Sequence, residues 1–413
     1  MRNAYFIMKE ELPCSKLSKI NQLLNLQGNK EIKFFQHHSE RVAAEIFTAV
    51  GHTVENTFIT DLRNARCYGL LVDDLTDISV KELMVAFVQY IDGCGHVQTK
   101  FLFVRDLLKD SPSANAITIH RNIMDGLRSL GIDTEKLASI CTDGAPVMVG
   151  ETNGLAGLLR RSNPQIVNFH CICHRLALAT VDTLSTKTLS YVNNVHDWCR
   201  QVWQLLENSP KKMAVFIKVQ LSQADCQTSN SPQSQKKRKK AAIKLKKACK
   251  TRWLSFHQSV KSIKRSLQAL LLTLEEIDVP ASIGLHKKMH TAKFIGCVYM
   301  LDEVLPILAS LSVVFQKGQI AYASMKGSIE QARFDLDELL KYKSFLKDMK
   351  ESGILKTLNL QLDTYTEGIL KSLQEKYIHS LLENIDSRFK KCQDVFDAFK
   401  IFNPKLLPWY KLL

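Results

Sequence analysis

The chain has 413 residues, 45% of them hydrophobic and 23% charged, with a formal charge of +15. These proportions belong to a globular chain rather than a disordered one, and the length suits two or three domains. No apolar run reaches the ~18–20 residues that span a bilayer, the N-terminal stretch is too quickly acidic for a secretory signal, and the scattered cysteines lack framework spacing, which points to reduced thiols of an intracellular protein.

Residues 1–62 read as a helical segment. Ser39 to Val50 carries Val42, Ala43, Ile46, Phe47 and Val50 at helical spacing. From Tyr68 the period changes. Tyr68 to Asp73, Leu83 to Ile91 and Val97 to Leu107 read as strands, with a turn signal at Asp92-Gly-Cys-Gly95. Ala114 to Leu130 is helical. Leu137 to Cys141 is a fourth strand, ending at Thr142-Asp143-Gly144. Gly154 to Arg161 is a short helix, Gln165 to His170 a fifth strand, and another helix begins near His174. Three strands joined by short turns form an antiparallel meander. The later strands then join through right-handed helical crossovers, parallel to the first. Strand one and strand four can lie side by side, with Asp73 and Asp143 at one edge, where open α/β sheets place their sites.

Beyond about Thr186 the strand signals stop. Leu189 to Leu206, Trp253 to Ile277, Lys288 to Gln316 and Ser328 to Met349 read as helices, the last with a capping box from Ser328 and Gln331. Leu301, Val304, Leu305, Leu308, Leu311 and Phe315 form an apolar stripe suited to core packing. The expected fold class is α/β plus α. Its domains are an N-terminal segment (1–62), a sheet core (63–186), a helical body (187–380) with a basic linker (223–252), and a terminal part (381–413) that begins a return to the core.

Charge is concentrated. Between Lys236 and Arg252 there are ten basic residues and no acidic one: Lys236, Lys237, Arg238, Lys239, Lys240, Lys244, Lys246, Lys247, Lys250 and Arg252. Such a cluster attracts polyanions and is screened by salt. Lys236 to Lys240 has the composition of a nuclear import signal; a solvated helix face is the plainer alternative. Trp253 beside Arg252 can stack an unpaired base, or can be a core Trp with its Arg at the surface.

Two acidic stretches, Asp73-Asp74-Leu-Thr-Asp77 and Asp143-Gly-Ala-Pro, follow strands. Converging carboxylates can hold Mg²⁺ or Mn²⁺ for phosphoryl transfer; equally, such acids cap turns. His170-Cys171-Ile-Cys173-His174 is dense in metal-ligand types but has no second ligand pair, so a buried thiol and a core histidine are the simpler reading. Cys171 and His174 have the spacing to share a helix face.

Four stretches, GLLVDDLTDISVKELMVAFVQYID, ICTDGAPVMVG, FHCICHRLALA and TRWLS, occur in the order found in hAT superfamily transposases. The chain resembles that family, and more closely the host proteins derived from such elements. The resemblance implies an RNase H-like mixed sheet interrupted by a large helical insertion. It maps vestigial catalytic, metal-binding carboxylates to Asp73 and Asp143, the C-x-x-H motif to Cys171 and His174, and the R-W motif to Arg252 and Trp253. Asp74 stands where the family often has Glu. The family's third carboxylate, its dimerisation block and an N-terminal zinc finger find no match. The expectation is therefore a domesticated, nuclear, nucleic-acid-binding protein without transposition activity. It would require no cofactor, with Mg²⁺ or Mn²⁺ relevant only to residual nuclease chemistry. The alternative is a scaffold for nuclear proteins in transcription regulation or SUMO conjugation. No membrane partner is expected.

Overall fold

The computed structural model describes residues 2–33, 39–76, 81–225, 242–249, 253–316 and 322–398. Among the described residues, four N-terminal helices come first: α1 (Arg2–Lys9), α2 (Lys16–Leu26), α3 (Lys30–Lys33) and α4 (Glu40–Asn64). The Ser39 hydroxyl accepts from the Val42 amide and caps α4. Ala4, Ile7, Leu17 and Ala43 form a small apolar cluster among α1, α2 and α4. The far end of α4 contributes Ile59 and Leu62 to the core of the sheet.

Five strands follow, β1 (Tyr68–Thr76), β2 (Glu82–Ile91), β3 (Val97–Asp106), β4 (Leu137–Thr142) and β5 (Val167–His170), interleaved with α5 (Ala116–Ser129), α6 (Pro146–Val149) and α7 (Leu155–Ser162). The sheet order is β3-β2-β1-β4-β5. β1–β2 and β2–β3 are antiparallel; β1–β4 and β4–β5 are parallel. Every expected strand is present. The parallel pairing arises where helices intervene, because only a crossover can return the chain to the same end of the sheet. Leu70, Val72, Met84, Ala86 and Val88 bury one face with Ile119, Ile123 and Leu127 of α5. The alternate residues Leu71, Phe87, Phe101 and Val104 remain exposed. Phe87 and Phe101 meet edge to face across the β2–β3 pair.

The chain divides after Cys171 into two units. The second is built of helices: α8 (Ile172–Ser185), α9 (Ser190–Glu207), α10 (Pro210–Asp225), α11 (Trp253–Ile277), α12 (Pro280–Met289), α13 (Ala292–Phe315), α14 (Tyr322–Tyr342), α15 (Ser344–Glu351), α16 (Ile354–Thr357) and α17 (Thr364–Ala398). α13 is at its centre, packed by α11, α14, α15 and α17. It is long and apolar enough to cross a membrane by composition, but 16 of its residues, from Ala292 to Phe315, are buried in this protein core. An all-round apolar helix is what a bundle centre requires. The stripe from Leu301 to Phe315 is core packing, as its spacing suggests.

Several boundaries differ from the sequence reading. α8 belongs to the helical unit, so the division falls at 171/172 rather than 186/187. The boundary expected at 380/381 lies inside α17, where Ile378, Leu381 and Ile385 are all buried in the helical core. The helix expected over Lys288 to Gln316 is two helices, because the Thr291 hydroxyl accepts from the Phe294 amide and starts α13 afresh. Ser328 is inside α14 rather than at its cap; that helix already begins at Tyr322. The stretch from Ser328 to Met349 breaks at Lys343, which takes a left-handed conformation at φ 47°.

The central position of α13 makes a measurable prediction. Leu305→Ala removes a fully buried side chain and should lower stability by about 2–5 kcal/mol. Val313→Ala in the same helix, at an exposed position, should change it by less than about 1 kcal/mol. Urea denaturation followed by circular dichroism measures both.

Candidate functional site

The acidic site is built by strand register. β1 and β4 run parallel with Leu70 beside Ile140 and Leu71 beside Cys141. Asp73 and Asp143 each lie two residues further along, so the pairing carries both to the same rim. β4 ends at Thr142 while β1 continues to Thr76, so Asp73 and Asp74 extend past the end of the neighbouring strand. One carboxylate oxygen from each of Asp73, Asp74 and Asp143 falls within 4.8 Å of the others. Asp73 and Asp74 are exposed and Asp143 is half-buried.

The turn after β4 fixes Asp143. Its Oδ1 accepts from the Ala145 amide at 2.9 Å, closing a side-chain-to-backbone turn. Gly144 follows at φ +86°, and a Cβ there would stand 2.3 Å from the His170 ring at the end of β5. Pro146 then opens α6 as its first residue, where a missing amide proton costs nothing. The turn-capping role and the metal-ligand role, alternatives in the sequence, are therefore compatible. Oδ1 is used by the turn, and a carboxylate retains further lone pairs for a cation.

Three acids in such reach supply hard oxygen donors, the ligand class that Mg²⁺ and Mn²⁺ prefer. Asp74 is the member that sequence reasoning left out as a ligand. Neighbours on a strand ordinarily point to opposite faces, which argues against using both. The signal was present in the adjacent Asp-Asp pair at a strand end, where no β4 residue flanks Asp74. Asp77 lies outside the described residues.

Cys171 and His174 are placed differently from expectation. Cys171 is not on a helix. Its amide donates to the Thr142 carbonyl at 2.8 Å, extending the β4–β5 pairing by one residue, and α8 begins at Ile172. The two residues therefore do not share a helix face. Both are half-buried.

Of the basic segment, Lys236, Lys237, Arg238, Lys239, Lys240, Lys250 and Arg252 lie outside the described residues. Lys244, Lys246 and Lys247 are exposed on a strap, residues 242–249, that is neither helix nor strand. Leu245 and Ala248 are buried in the helical core and anchor the strap. Gln220 of α10 grips its backbone twice, accepting from the Ile243 amide at 2.7 Å and donating to the Ile243 carbonyl at 3.1 Å. The Lys246 amide donates to the Ser262 hydroxyl and the Cys249 amide to the Ser255 hydroxyl. The Lys247 ammonium lies 5.4 Å from the Trp203 ring centre. Trp253 is the first residue of α11.

Residues 15–154 match the family DUF4371, described as the ZMYM1/FAM200 RNase-like domain. That span covers α2 through α6 and contains all three clustered acids. A 143-residue stretch is 23% identical to General transcription factor II-I repeat domain-containing protein 2 of Bos taurus, amounting to 33% of this chain and 15% of that protein. The chain thus corresponds to a small part of that relative's length. The five-stranded mixed sheet followed by a helical body agrees with an RNase-like domain joined to a helical region.

The turn that holds Asp143 can be tested by substitution. Gly144→Ala introduces both a disfavoured positive φ and a collision with His170, and should cost about 1–3 kcal/mol. Gly93→Ala, where an added Cβ meets nothing within 4 Å, serves as the comparison and should be close to neutral in the same urea melts.

Proposed function

We propose that this protein is a transposase-derived nuclear protein that binds nucleic acid and acts in regulation rather than in transposition. The observation that carries the reading is the strap. Lys244, Lys246 and Lys247 are exposed while Leu245 and Ala248 are buried, so these cations project from a held backbone, and the chain carries seven further basic positions in the same run. Lysines that pair with phosphates release counterions, which gives affinity without sequence preference and a steep salt dependence. The similarity to an RNase-like domain and to a protein named as a general transcription factor repeat protein supports the ancestry and the regulatory setting. The run from Lys236 to Lys240 supports nuclear import.

The test is DNA binding by the full chain across a salt series. Replacing Lys244, Lys246 and Lys247 together by Ala should weaken binding. It should also flatten the plot of log affinity against log salt by about 0.9 for each duplex phosphate that is no longer neutralised. An unchanged slope in the triple variant would sink the proposal.

A second reading is residual metal-dependent phosphodiester chemistry, favoured by the convergence of Asp73, Asp74 and Asp143. A divalent ion held there would polarise a phosphoryl oxygen and lower the pKa of a bound water. The residues of this chain would hold the ion and orient it through the Asp143 turn. Under this reading Mn²⁺ binding by calorimetry is abolished in Asp143→Asn, and Mn²⁺-dependent nicking of a labelled hairpin DNA disappears with it. Nicking that survives Asp143→Asn would assign the activity elsewhere.

A further inference from the structure

The β2–β3 hairpin carries a second cluster of ligand-type side chains, at the end of β2 away from the acidic rim and unused by either reading above. Its turn is Asp92-Gly93-Cys94-Gly95-His96. The Asp92 carboxylate organises it. Oδ1 accepts from the Cys94 amide and from the His96 amide, both at 2.9 Å, and Oδ2 accepts from the Gln98 side-chain amide at 2.8 Å. The Gly95 amide donates back to the Asp92 carbonyl, with Gly95 at φ +85°. These bonds turn the chain tightly enough to bring residues two and four positions apart onto one side.

As a result, a carboxylate oxygen of Asp92, the Cys94 sulfur and a ring nitrogen of His96 all lie within 4.8 Å of one another. The Nδ1 of His96 is 3.8 Å from Oδ1 of Asp92. Tetrahedral zinc with bonds of about 2.0–2.3 Å separates its ligand atoms by about 3.3–3.8 Å. Rotation about the Cys94 and His96 side-chain bonds closes the remainder, and both side chains are exposed and able to rotate. An ionised carboxylate offers about four lone-pair positions. The two amide bonds take both lone pairs of Oδ1 and the Gln98 bond takes one of Oδ2, so the position left for a cation is on Oδ2. The approach is open, since an added Cβ at Gly93 or Gly95 would meet nothing within 4 Å.

We propose that this hairpin turn is a binding site for a borderline divalent cation of the zinc type, ligated by Asp92, Cys94 and His96 with water in the fourth position. Thiolate and imidazole donors favour zinc over Mg²⁺ or Mn²⁺. Binding replaces the Cys94 S–H bond by an S–metal bond, and the thiol proton passes to solvent. Gln98 is a positioning residue: it holds the Asp92 carboxylate from outside the ligand set, the arrangement that tunes metal affinity in such sites. Cys94 is exposed to an incoming ion, whereas Cys199 is fully buried.

The test is a Co²⁺ titration of the reduced full-length chain, with Zn²⁺ displacement. The expected result is a thiolate-to-cobalt absorption band that saturates at one equivalent for this site and is bleached by Zn²⁺. Cys94→Ser should remove that band. His96→Ala should weaken it at least about tenfold, and Gln98→Ala should weaken affinity about 10–100-fold while keeping the band's shape. Cys171→Ser, in the other Cys/His-rich stretch, should leave it unchanged. All the hairpin positions are tested with far-ultraviolet circular dichroism to confirm folding, and His96→Ala leaves the thiol in place if Cys94→Ser misfolds. A cobalt–thiolate band that persists at full strength in Cys94→Ser or His96→Ala, or that is removed by Cys171→Ser, overturns the proposal.

Discussion

The parallel pairing of β1 with β4 is the constraint on which the sheet unit depends. β1 is the middle strand, antiparallel to β2 on one side and parallel to β4 on the other. Parallel neighbours present their carboxyl ends at the same rim, and only a helical crossover can make them neighbours. α5 is that crossover, and its buried Ile119, Ile123 and Leu127 secure it to the same face that Leu70 and Val72 bury. Without the Leu71–Cys141 register, two acids some seventy positions apart in the chain would have no reason to share a location. Burial of one apolar sheet face therefore determines where unrelated polar groups meet.

Much of this was legible in the sequence because it depends on period. Short apolar runs and the Asp92–Gly95 turn signal marked the meander strands, and the apolar stripe from Leu301 to Phe315 marked a core helix. Trp253 to Ile277 has the bounds expected of it. The places where reading failed are those where a single polar interaction outweighs period. Thr291 restarts a helix through one hydroxyl, and Lys343 ends another with a left-handed residue. Ser328 has the composition of a cap but sits where helix continues around it. Cys171 has helical spacing to His174, yet its amide is already committed to the Thr142 carbonyl. Asp74 lies beside its neighbour beyond the last residue of β4, and strand ends are the least certain property of a sequence-derived element.

The two units carry opposite electrostatic emphasis. The sheet unit gathers carboxylates at one rim, whereas the helical unit holds the dense basic run. Hard oxygen donors and ammonium groups serve different halves of polyphosphate chemistry, the one through a cation and the other directly. The β2–β3 hairpin adds a third chemistry, in which a sulfur and an imidazole nitrogen are grouped with a carboxylate.

The strap at residues 242–249 has a thermodynamic consequence of its own. A flexible lysine-rich linker must surrender backbone freedom each time it meets a charged polymer, at roughly 1–2 kcal/mol for each residue that becomes fixed. Here Gln220, Ser262 and the burial of Leu245 and Ala248 have imposed that order during folding. Lys244, Lys246 and Lys247 consequently meet any anion with their spacing already set, and only their own side-chain rotations remain to be restricted.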